Sequence, residues 1–306
     1  MTEGFDFNEA DIDVMLANLD SFSEEEVVEI DRMVDELSTR SKNKRAYDDL
    51  IEFCKLMMPD FIVGKHHRIL ADLLMGIESG DKDRICVNIP PRHGKSQLVS
   101  IFFPAWFLGR NPNKKVMMVS HTTDLAVDFG RKVRNLIALD AYRSIFPTVK
   151  LAQDSKSAGR WNTNVGGEYY ACGIGSALAG RGADLLLVDD PHSEQDVING
   201  NFGVFEKAYE WFTFGARTRL MPHGAVAIIQ TRWHLDDLTG RVVRDMGKNE
   251  RADQYDVVEF PAILDVLDKK TEKTVQKPLW PEFFDLEALL RTKASMPVFQ
   301  WNSQYQ

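Results

Sequence analysis

The tripeptide Gly94-Lys95-Ser96 has the residue types of a phosphate-binding loop. It follows an apolar stretch, residues 84–89, that predicts a buried strand, and it precedes residues 97–108, which predict a helix. At such a junction the glycine lets backbone N–H groups approach phosphate oxygens, the lysine reaches the terminal phosphates, and the serine hydroxyl can bind magnesium. A standard loop has another glycine five positions before Gly94, but this chain has Ile89 there, so only half of the usual motif is present.

Two adjacent carboxylates, Asp189 and Asp190, follow the apolar residues 185–188. This pattern predicts a central strand that delivers the carboxylates to its C-terminal end, where open α/β sheets bind ligands. One carboxylate can hold magnesium there, and its neighbour can take a proton from an attacking water. The alternative is a solvated Asp-Asp turn after a buried strand, but a phosphate loop about ninety residues upstream favours ATP or GTP binding.

Two other positions carry groups that could act on a phosphate. A predicted strand over residues 224–231 ends at Thr231, which could sense the γ-phosphate beside the loop. Arg181 lies between Gly180 and Gly182, whose freedom would let its guanidinium reach a transferring phosphoryl group from outside the site. The alternative for Arg181 is a pair with a carboxylate at the edge of the sheet.

The rest of the pattern predicts the elements that position these groups. Further strands are predicted over residues 114–120 and 255–260, and a hairpin over residues 160–173. The helices are predicted over residues 21–39, 44–56 and 124–139, with further helices starting near His66, Asp236 and Asp285. Residues 265–276 are charged and predict a loop. Strands that alternate with helices predict an α/β fold with a mainly parallel sheet covered on both faces.

Composition limits the class of protein. The chain has 306 residues and 44% hydrophobic content, enough for a substantial core. Its longest apolar run, residues 99–108, is too short to span a bilayer, so no membrane association is expected. Its three cysteines lack metal-ligand spacing and predict a reduced, cytoplasmic setting. Residues 1–36 hold thirteen acidic residues and only one basic residue, which indicates a solvated extension or a docking segment for a basic partner.

The adjacent histidines His66 and His67 are a weak candidate for a metal site. Neither a cysteine nor a carboxylate nearby completes a ligand set. We predict instead that they form a polar helix start close to the phosphate loop.

Three motifs in this order resemble the large terminase subunit of tailed double-stranded DNA bacteriophages, from about residue 45 to the end. They are residues 90–96, Gly180-Arg181 ahead of Asp189-Asp190, and residues 230–234. In that family an arginine-bearing phosphate loop without the first glycine is normal. The resemblance implies a RecA-like (ASCE-type) P-loop NTPase fold, with an acidic extension over residues 1–44, an ATPase core over 45–265 and a C-terminal lid or linker over 266–306.

The resemblance also implies a function. The chain would be an Mg²⁺-dependent ATPase motor that translocates double-stranded viral DNA into the procapsid. It would work with the portal protein and the small terminase subunit as a homo-oligomeric ring, in the host cytoplasm and transiently at the portal. The nucleotide would be ATP, bound by the residues of the loop: Pro91, Arg92, His93, Gly94, Lys95, Ser96 and Gln97.

Particular roles follow from the same resemblance. Ser96 and Asp189 would hold Mg²⁺, and Asp190 would orient or deprotonate the water. Arg92 would contact the γ-phosphate, Arg181 would act as an arginine finger on a neighbouring subunit, and Thr231 would couple phosphate release to the sheet.

Two departures from the family pattern affect this interpretation. The family has glutamate where this chain has Asp190, so Glu194 stays a second candidate for the catalytic carboxylate. Residues 299–306 resemble the segment that leads into a nuclease domain, and no such domain follows here, so we expect no DNA cleavage by this chain. The alternative functions are a helicase-like or DNA-repair ATPase, and a docking protein that binds nucleotide without hydrolysing it.

Overall fold

The protein is built around one seven-stranded sheet. The structure, a computed structural model, describes residues 22–153, 157–198, 200–268 and 272–306. The strand order is β3-β4-β2-β5-β6-β1-β7, and every neighbouring pair is parallel except β3 and β4. The strands are β1 (Arg84–Asn88), β2 (Lys115–Ser120), β3 (Arg160–Asn162), β4 (Glu168–Gly173), β5 (Ala183–Asp189), β6 (Leu220–Gln230) and β7 (Asp256–Glu259). The predicted mainly parallel α/β sheet is confirmed.

Helices cover both faces of the sheet, as predicted. One face packs against the first six helices: α1 (Glu24–Asp48), α2 (Leu50–Met57), α3 (Lys65–Ser79), α4 (Phe103–Arg110), α5 (Thr123–Ile137) and α6 (Asp140–Ile145). The described helices between β5 and β7 are α7 (Glu194–Ile198), α8 (Gly203–Glu210), a π-helical turn (Trp211–Ala216), a 3-10 turn (Arg217–Arg219) and α9 (Leu238–Lys248). The π-helical turn and α9 pack on the opposite face.

The alternation of side chains along each strand explains the two cores. Leu185 and Leu187 of β5 point to the face of the phosphate-loop helix, whereas Leu186 and Val188 point to the other face. Because both faces are covered, the strands are apolar on both sides, which is why they appear in the sequence as continuous apolar runs. β6 lies between β1 and β5, so the phosphate loop and the paired aspartates end at the same edge of the sheet.

The helix after the phosphate loop has an irregular first half. It is π-helical over Gln97–Phe102 and α-helical over Phe103–Arg110, and the Phe103 N–H donates to the Leu98 carbonyl. Pro104 has no N–H to donate to the carbonyl four residues earlier, which favours this local change of register.

The first predicted helix boundary was wrong. α1 runs unbroken to Asp48, through the predicted gap between residues 39 and 44, because no Gly or Pro interrupts that stretch. Ser23 and Glu26 form a capping box at its start. The next helix begins only after Asp49, whose carboxylate accepts from the Glu52 N–H.

The prediction of a loop over residues 265–276 was also wrong. Two antiparallel strands, β8 (Ile263–Asp268) and β9 (Lys273–Pro278), form a separate hairpin. Val266 lies opposite Val275, but charged or polar residues occur on both faces of the two strands. The hairpin therefore has no continuous apolar face that the sequence analysis could detect.

The chain ends with two further helices. They are α10 (Leu286–Ser295), capped by Asp285 as predicted, and α11 (Val298–Gln304). The predicted domain limits at residues 44 and 265 fall inside α1 and β8, and residues 1–21 of the acidic extension lie outside the described residues. None of the helices in the described ranges is both long and apolar enough to cross a membrane.

Candidate nucleotide-binding site

The loop between β1 and its helix has the tight turns of a phosphate cradle. Gly94 has φ of 77° and Arg92 has φ of 61°, both in the left-handed region that L-residues seldom adopt. Lys95 opens the helical segment, so its side chain starts at the positive end of the helix.

Lys95 and Asp190 form the central ion pair of the site. The Lys95 Nζ lies 2.8 Å from Asp190 Oδ2, and Lys95 is only 8% exposed. Burial acts to lower the pKa of Lys95, but the charges of Asp190 and Asp189 outweigh it and raise this pKa above the usual lysine value. The lysine is therefore charged. The Asp190 carboxylate supplies the negative charge beside it that a nucleotide phosphate would otherwise supply.

Asp189 is buried beside this pair. Its Oδ2 accepts a hydrogen bond of 2.6 Å from the Ser100 hydroxyl. Burial and the charge of Asp190 raise the pKa of Asp189 to about 6, against the opposing effects of Lys95, Ser100 and Ser96. The other oxygen, Oδ1, is buried without a hydrogen-bond partner among the described residues. Oδ1 of Asp189 is therefore a free carboxylate oxygen, a ligand of the kind that Mg²⁺ prefers.

Asp190 is held by backbone groups from two neighbouring strands. Its φ of 45° is in the left-handed region, which aspartate tolerates better than most residues. The Thr231 N–H donates to Asp190 Oδ1 at 2.8 Å, and the Thr231 hydroxyl donates to the Ile89 carbonyl at 3.2 Å. The His121 N–H donates to the Asp190 carbonyl at 3.1 Å. Thr231 thus connects the Asp190 carboxylate to the strand that enters the phosphate loop.

The remaining loop residues have different surroundings. Arg92 is exposed and close enough to Tyr305 for its charge to oppose the burial that raises the pKa of that phenol. The His93 Nδ1 lies 2.8 Å from the carbonyl of Pro91, inside the loop. Gln97 is turned towards Met58, with 3.9 Å between its amide nitrogen and the sulfur.

Two predicted residues lie away from the Lys95–Asp190 pair. The Arg181 guanidinium is 3.3 Å from Glu168 and lies over the ring of Tyr170. Arg181 precedes β5, whose 7 residues separate it from Asp190 by about 20 Å at about 3.3 Å per residue. Glu194 begins α7 and lines a cavity with Trp233 and Phe299.

Some residues of the site escaped the sequence analysis. Ser100 and His121 were not identified, although a serine inside the long apolar run after the loop was a usable signal. His66 and His67 do lie against the phosphate loop, as predicted, and both Nε2 atoms are 3.0 Å from the His93 carbonyl oxygen. The sequence could not predict that both histidine rings bond to the carbonyl of His93.

The fold and the site together define a RecA-like P-loop protein, with the phosphate loop and the paired aspartates at one edge of a parallel sheet. The family model described as "Terminase large subunit, T4likevirus-type, N-terminal" matches residues 86–289. The chain belongs to this family. No curated protein matches the sequence.

Several solved structures are similar at low identity. The HK97 bacteriophage large terminase has 13% identity and a TM-score of 0.47 over 81% of this chain and 51% of that one. The ATPase domain of the Thermus phage P74-26 large terminase has 14% identity and a TM-score of 0.45, over 76% and 91%. The large terminase of the thermophilic bacteriophage D6E in complex with ATP-gamma-S has 12% identity and a TM-score of 0.47, over 76% and 51%. This chain thus spans about half the length of the HK97 protein.

Proposed function

We propose that this chain is the ATP-hydrolysing motor part of a terminase. The observation that carries the proposal is the buried Lys95–Asp190 pair at 2.8 Å, with the free oxygen of Asp189 beside it. A charged lysine on a phosphate loop binds phosphates, and a carboxylate at the adjacent strand end can receive the proton of a water. Membership of the terminase family supports the choice of this function over a helicase-like or repair ATPase.

The ion pair suggests how binding prepares the site. When phosphates enter the loop, the Lys95 ammonium exchanges its contact with Asp190 for contacts with phosphate oxygens. Asp190 is then free to accept a hydrogen bond from the attacking water. The water oxygen bonds to the γ-phosphorus, the bond to the bridging oxygen breaks, and the proton goes to Asp190, leaving ADP and phosphate.

Ser96 and Asp189 would hold Mg²⁺ in this site. The ion would supply positive charge to neutralise the negative charge that develops during phosphoryl transfer. Ser100 donates to Oδ2 of Asp189 and leaves Oδ1 without a hydrogen-bond partner in the described part of the chain, so Oδ1 would be the oxygen that could hold the metal. Arg92, exposed on the loop, would contact the γ-phosphate.

Thr231 would transmit the change to the sheet. Its N–H binds the Asp190 carboxylate and its hydroxyl binds the carbonyl of Ile89. A change in the contacts of Asp190 therefore acts on both β6 and β1. In the motor this movement would drive double-stranded DNA into the procapsid, with the portal protein and the small terminase subunit as partners.

Arg181 would act on the site of a neighbouring subunit in a homo-oligomeric ring. About 20 Å along β5 separates it from its own Asp190, so it acts between subunits or not at all. Isolated chains should then hydrolyse ATP slowly, and specific activity should rise with concentration.

The phosphate-loop assignment is tested with Lys95→Ala. This variant should lose ATP hydrolysis by at least about 10²–10³-fold, the usual effect of removing one group that stabilises the transition state. Lys132→Ala is the matched control, because Lys132 is an exposed lysine paired with Asp128. Wild-type turnover by Lys95→Ala would refute the assignment.

The arginine finger is tested by mixing two inactive variants. Arg181→Ala keeps the phosphate loop and Lys95→Ala keeps the arginine, so mixed assemblies should recover turnover where the two meet. The loss in Arg181→Ala alone should be about 10³–10⁵-fold. Mixtures that assemble but stay inactive would show that Arg181 has only a structural role, in its ion pair with Glu168.

The motor function is tested by adding double-stranded DNA and portal protein. ATP turnover should rise with DNA, and portal protein should purify with the chain. DNA-independent turnover without portal binding would favour a different ATPase.

A further inference from the structure

Two buried histidines hold one peptide group of the phosphate loop. The Nε2 atoms of His66 and His67 each lie 3.0 Å from the carbonyl oxygen of His93. Both histidines have no exposed surface. A carbonyl oxygen has two lone pairs, so two ring N–H donors satisfy it completely.

The hydrogen bonds of the two rings fix their protonation. The Gly64 N–H donates to His67 Nδ1 at 3.0 Å, so the proton of the neutral ring is on Nε2, which donates to His93. His66 Nε2 must also donate, because a carbonyl can only accept. Burial lowers the pKa of His66 to about 4 and that of His67 to about 3, so both rings are neutral near pH 7.

Fixing the carbonyl of His93 also fixes the N–H of Gly94. The two belong to one planar trans peptide, in which the C=O and the N–H point in opposite directions. With the carbonyl turned to the histidines, the Gly94 N–H points away from them. None of the described residues accepts a hydrogen bond from this N–H.

His67 also explains why position 94 is glycine. A Cβ built on Gly94 would lie 2.2 Å from His67 Nε2, well inside contact distance. The φ of 77° at Gly94 independently disfavours other residues. The histidine donor and the glycine therefore form one unit, and a side chain at position 94 would displace the donor.

We propose that His66 and His67 are positioning residues that turn the His93–Gly94 peptide so that the Gly94 N–H binds a phosphate of the nucleotide. This inference rests on the proposed function, since it concerns the same loop. The competing interpretation is that the histidines only pack the start of α3 against the loop.

Matched variants separate the two interpretations. His66→Phe keeps a ring of similar size and removes the donor, and His66→Phe/His67→Phe removes both donors. His66→Gln replaces the ring but keeps an amide N–H close to the position of Nε2. If hydrogen-bond donation to the His93 carbonyl matters, His66→Gln should behave like the wild type. If only ring packing matters, the phenylalanine variants should behave like the wild type.

A selective NMR experiment observes the peptide directly. Protein labelled with ¹³C-carbonyl histidine and ¹⁵N-glycine gives a signal only from His–Gly pairs, and the sequence has two, His93–Gly94 and His223–Gly224. The second lies in β6, away from the phosphate loop, and reports whether each variant is folded. ADP with Mg²⁺ is the probe, and isothermal titration gives its Kd.

In the wild type and His66→Gln, ADP should move the His93–Gly94 signal and leave His223–Gly224 in place. In the double phenylalanine variant the Kd should rise about 10- to 100-fold, the usual effect of losing a hydrogen bond to a charged group, and the ADP shift of Gly94 should be lost. An unchanged Kd and an unchanged shift would overturn the positioning role.

Two further outcomes are also decisive. If the double variant loses the His223–Gly224 signal, it is unfolded, and His66→Phe alone decides by the same criteria, with a smaller expected change. If ADP moves no signal in the wild type, the proposed nucleotide site is wrong, and the positioning role falls with it.

Discussion

The charged side chains at the two ends of the parallel strands differ in how far they are buried. At the C-terminal edge, Lys95 and Asp189 are 8% and 1% exposed, and fixed groups of the protein hold them. At the N-terminal edge, Arg160 and Arg181 share the carboxylate of Glu168 with 53% and 25% of their side chains exposed. The side chains of the Lys95–Asp190 pair are 10% and 24% exposed, so the contrast is greatest with Arg160, whose side chain is more than half exposed, whereas Arg181 is intermediate.

This difference predicts where substitutions matter. Water can replace a lost partner at the solvated edge, so pairs there contribute little to stability. At the buried edge a charge without its partner stays desolvated, so protonation and ligand binding both depend on the neighbours. The raised pKa of Asp189, caused mainly by burial, is the sign of that dependence.

Among substitutions of the paired aspartates and their neighbours, the largest effect is expected for Asp190→Asn. The amide keeps the shape of the side chain and the acceptor for Thr231 N–H, but it cannot take a proton. Turnover should fall by about 10²–10⁴-fold, the usual contribution of general base catalysis, while ATP binding is retained. Glu194→Gln is the control, and normal turnover by Asp190→Asn with loss in Glu194→Gln would assign the base to Glu194.

A smaller effect is expected for Ser100→Ala. Without the 2.6 Å hydrogen bond, the buried carboxylate of Asp189 loses a group that favours its charged form. Removing such a supporting partner of a metal ligand costs about 10- to 100-fold in metal affinity. The Mg²⁺ concentration for half-maximal ATP turnover should rise by that factor.

Ser295→Ala controls for the loss of a helical serine hydroxyl. Ser295 donates to the carbonyl of Arg291 on the exposed surface of α10. Its Mg²⁺ dependence should match the wild type. An unchanged Mg²⁺ requirement in Ser100→Ala would mean that Asp189 does not depend on its buried neighbours.

The sequence predicted the parts of this site that depend on residue order. The strand before the phosphate loop, the strand before the aspartates and the strand ending at Thr231 were all placed correctly, because fully buried strands give continuous apolar runs. The parallel order of these strands then brings their ends to one edge.

The sequence could not predict contacts that depend on side-chain direction. Ser100 lies one helical turn beyond Ser96, on a helix whose π-helical half changes which residues face β5. The β8–β9 hairpin was missed because charged or polar residues lie on both of its faces, which leaves no apolar period of two. The sequence analysis could predict only that the partner of Arg181 would be a carboxylate. It could not identify Glu168, because that residue lies on another strand, β4.

Acid should destabilise the protein through its buried histidines. Burial lowers the pKa of His66 and His192 to about 4 and of His67 to about 3, so the unfolded chain binds these protons first as the pH falls below 6.5. Asp189, with its raised pKa of about 6, acts in the opposite direction, because the folded protein binds its proton more tightly than the unfolded chain.

The three histidines outweigh the single aspartate. Near pH 5 these four groups make the unfolded chain bind about two more protons than the folded protein, and the buried His93, whose pKa is also lowered, acts in the same direction, so the free energy of unfolding should fall by at least about 2.7 kcal/mol per pH unit. Urea unfolding between pH 7 and 5 measures this slope. His192→Gln should reduce it by about 1.4 kcal/mol per pH unit. A slope of zero or of opposite sign would contradict the burial of neutral histidines.

The smallest effect is expected at the solvated edge, for Arg160→Gln. The Arg160 Nε lies 2.8 Å from Glu168 Oε1, a shorter contact than the 3.3 Å of Arg181, so distance alone would rank it as the stronger pair. However, more than half of its side chain is exposed, and Arg181 still neutralises the carboxylate after the change. Urea unfolding should show a loss of about 0–1 kcal/mol, and Arg160→Gln combined with Glu168→Gln should lose little more. A loss above about 2 kcal/mol would show that this edge, too, depends on fixed partners, and would remove the contrast between the two ends of the sheet.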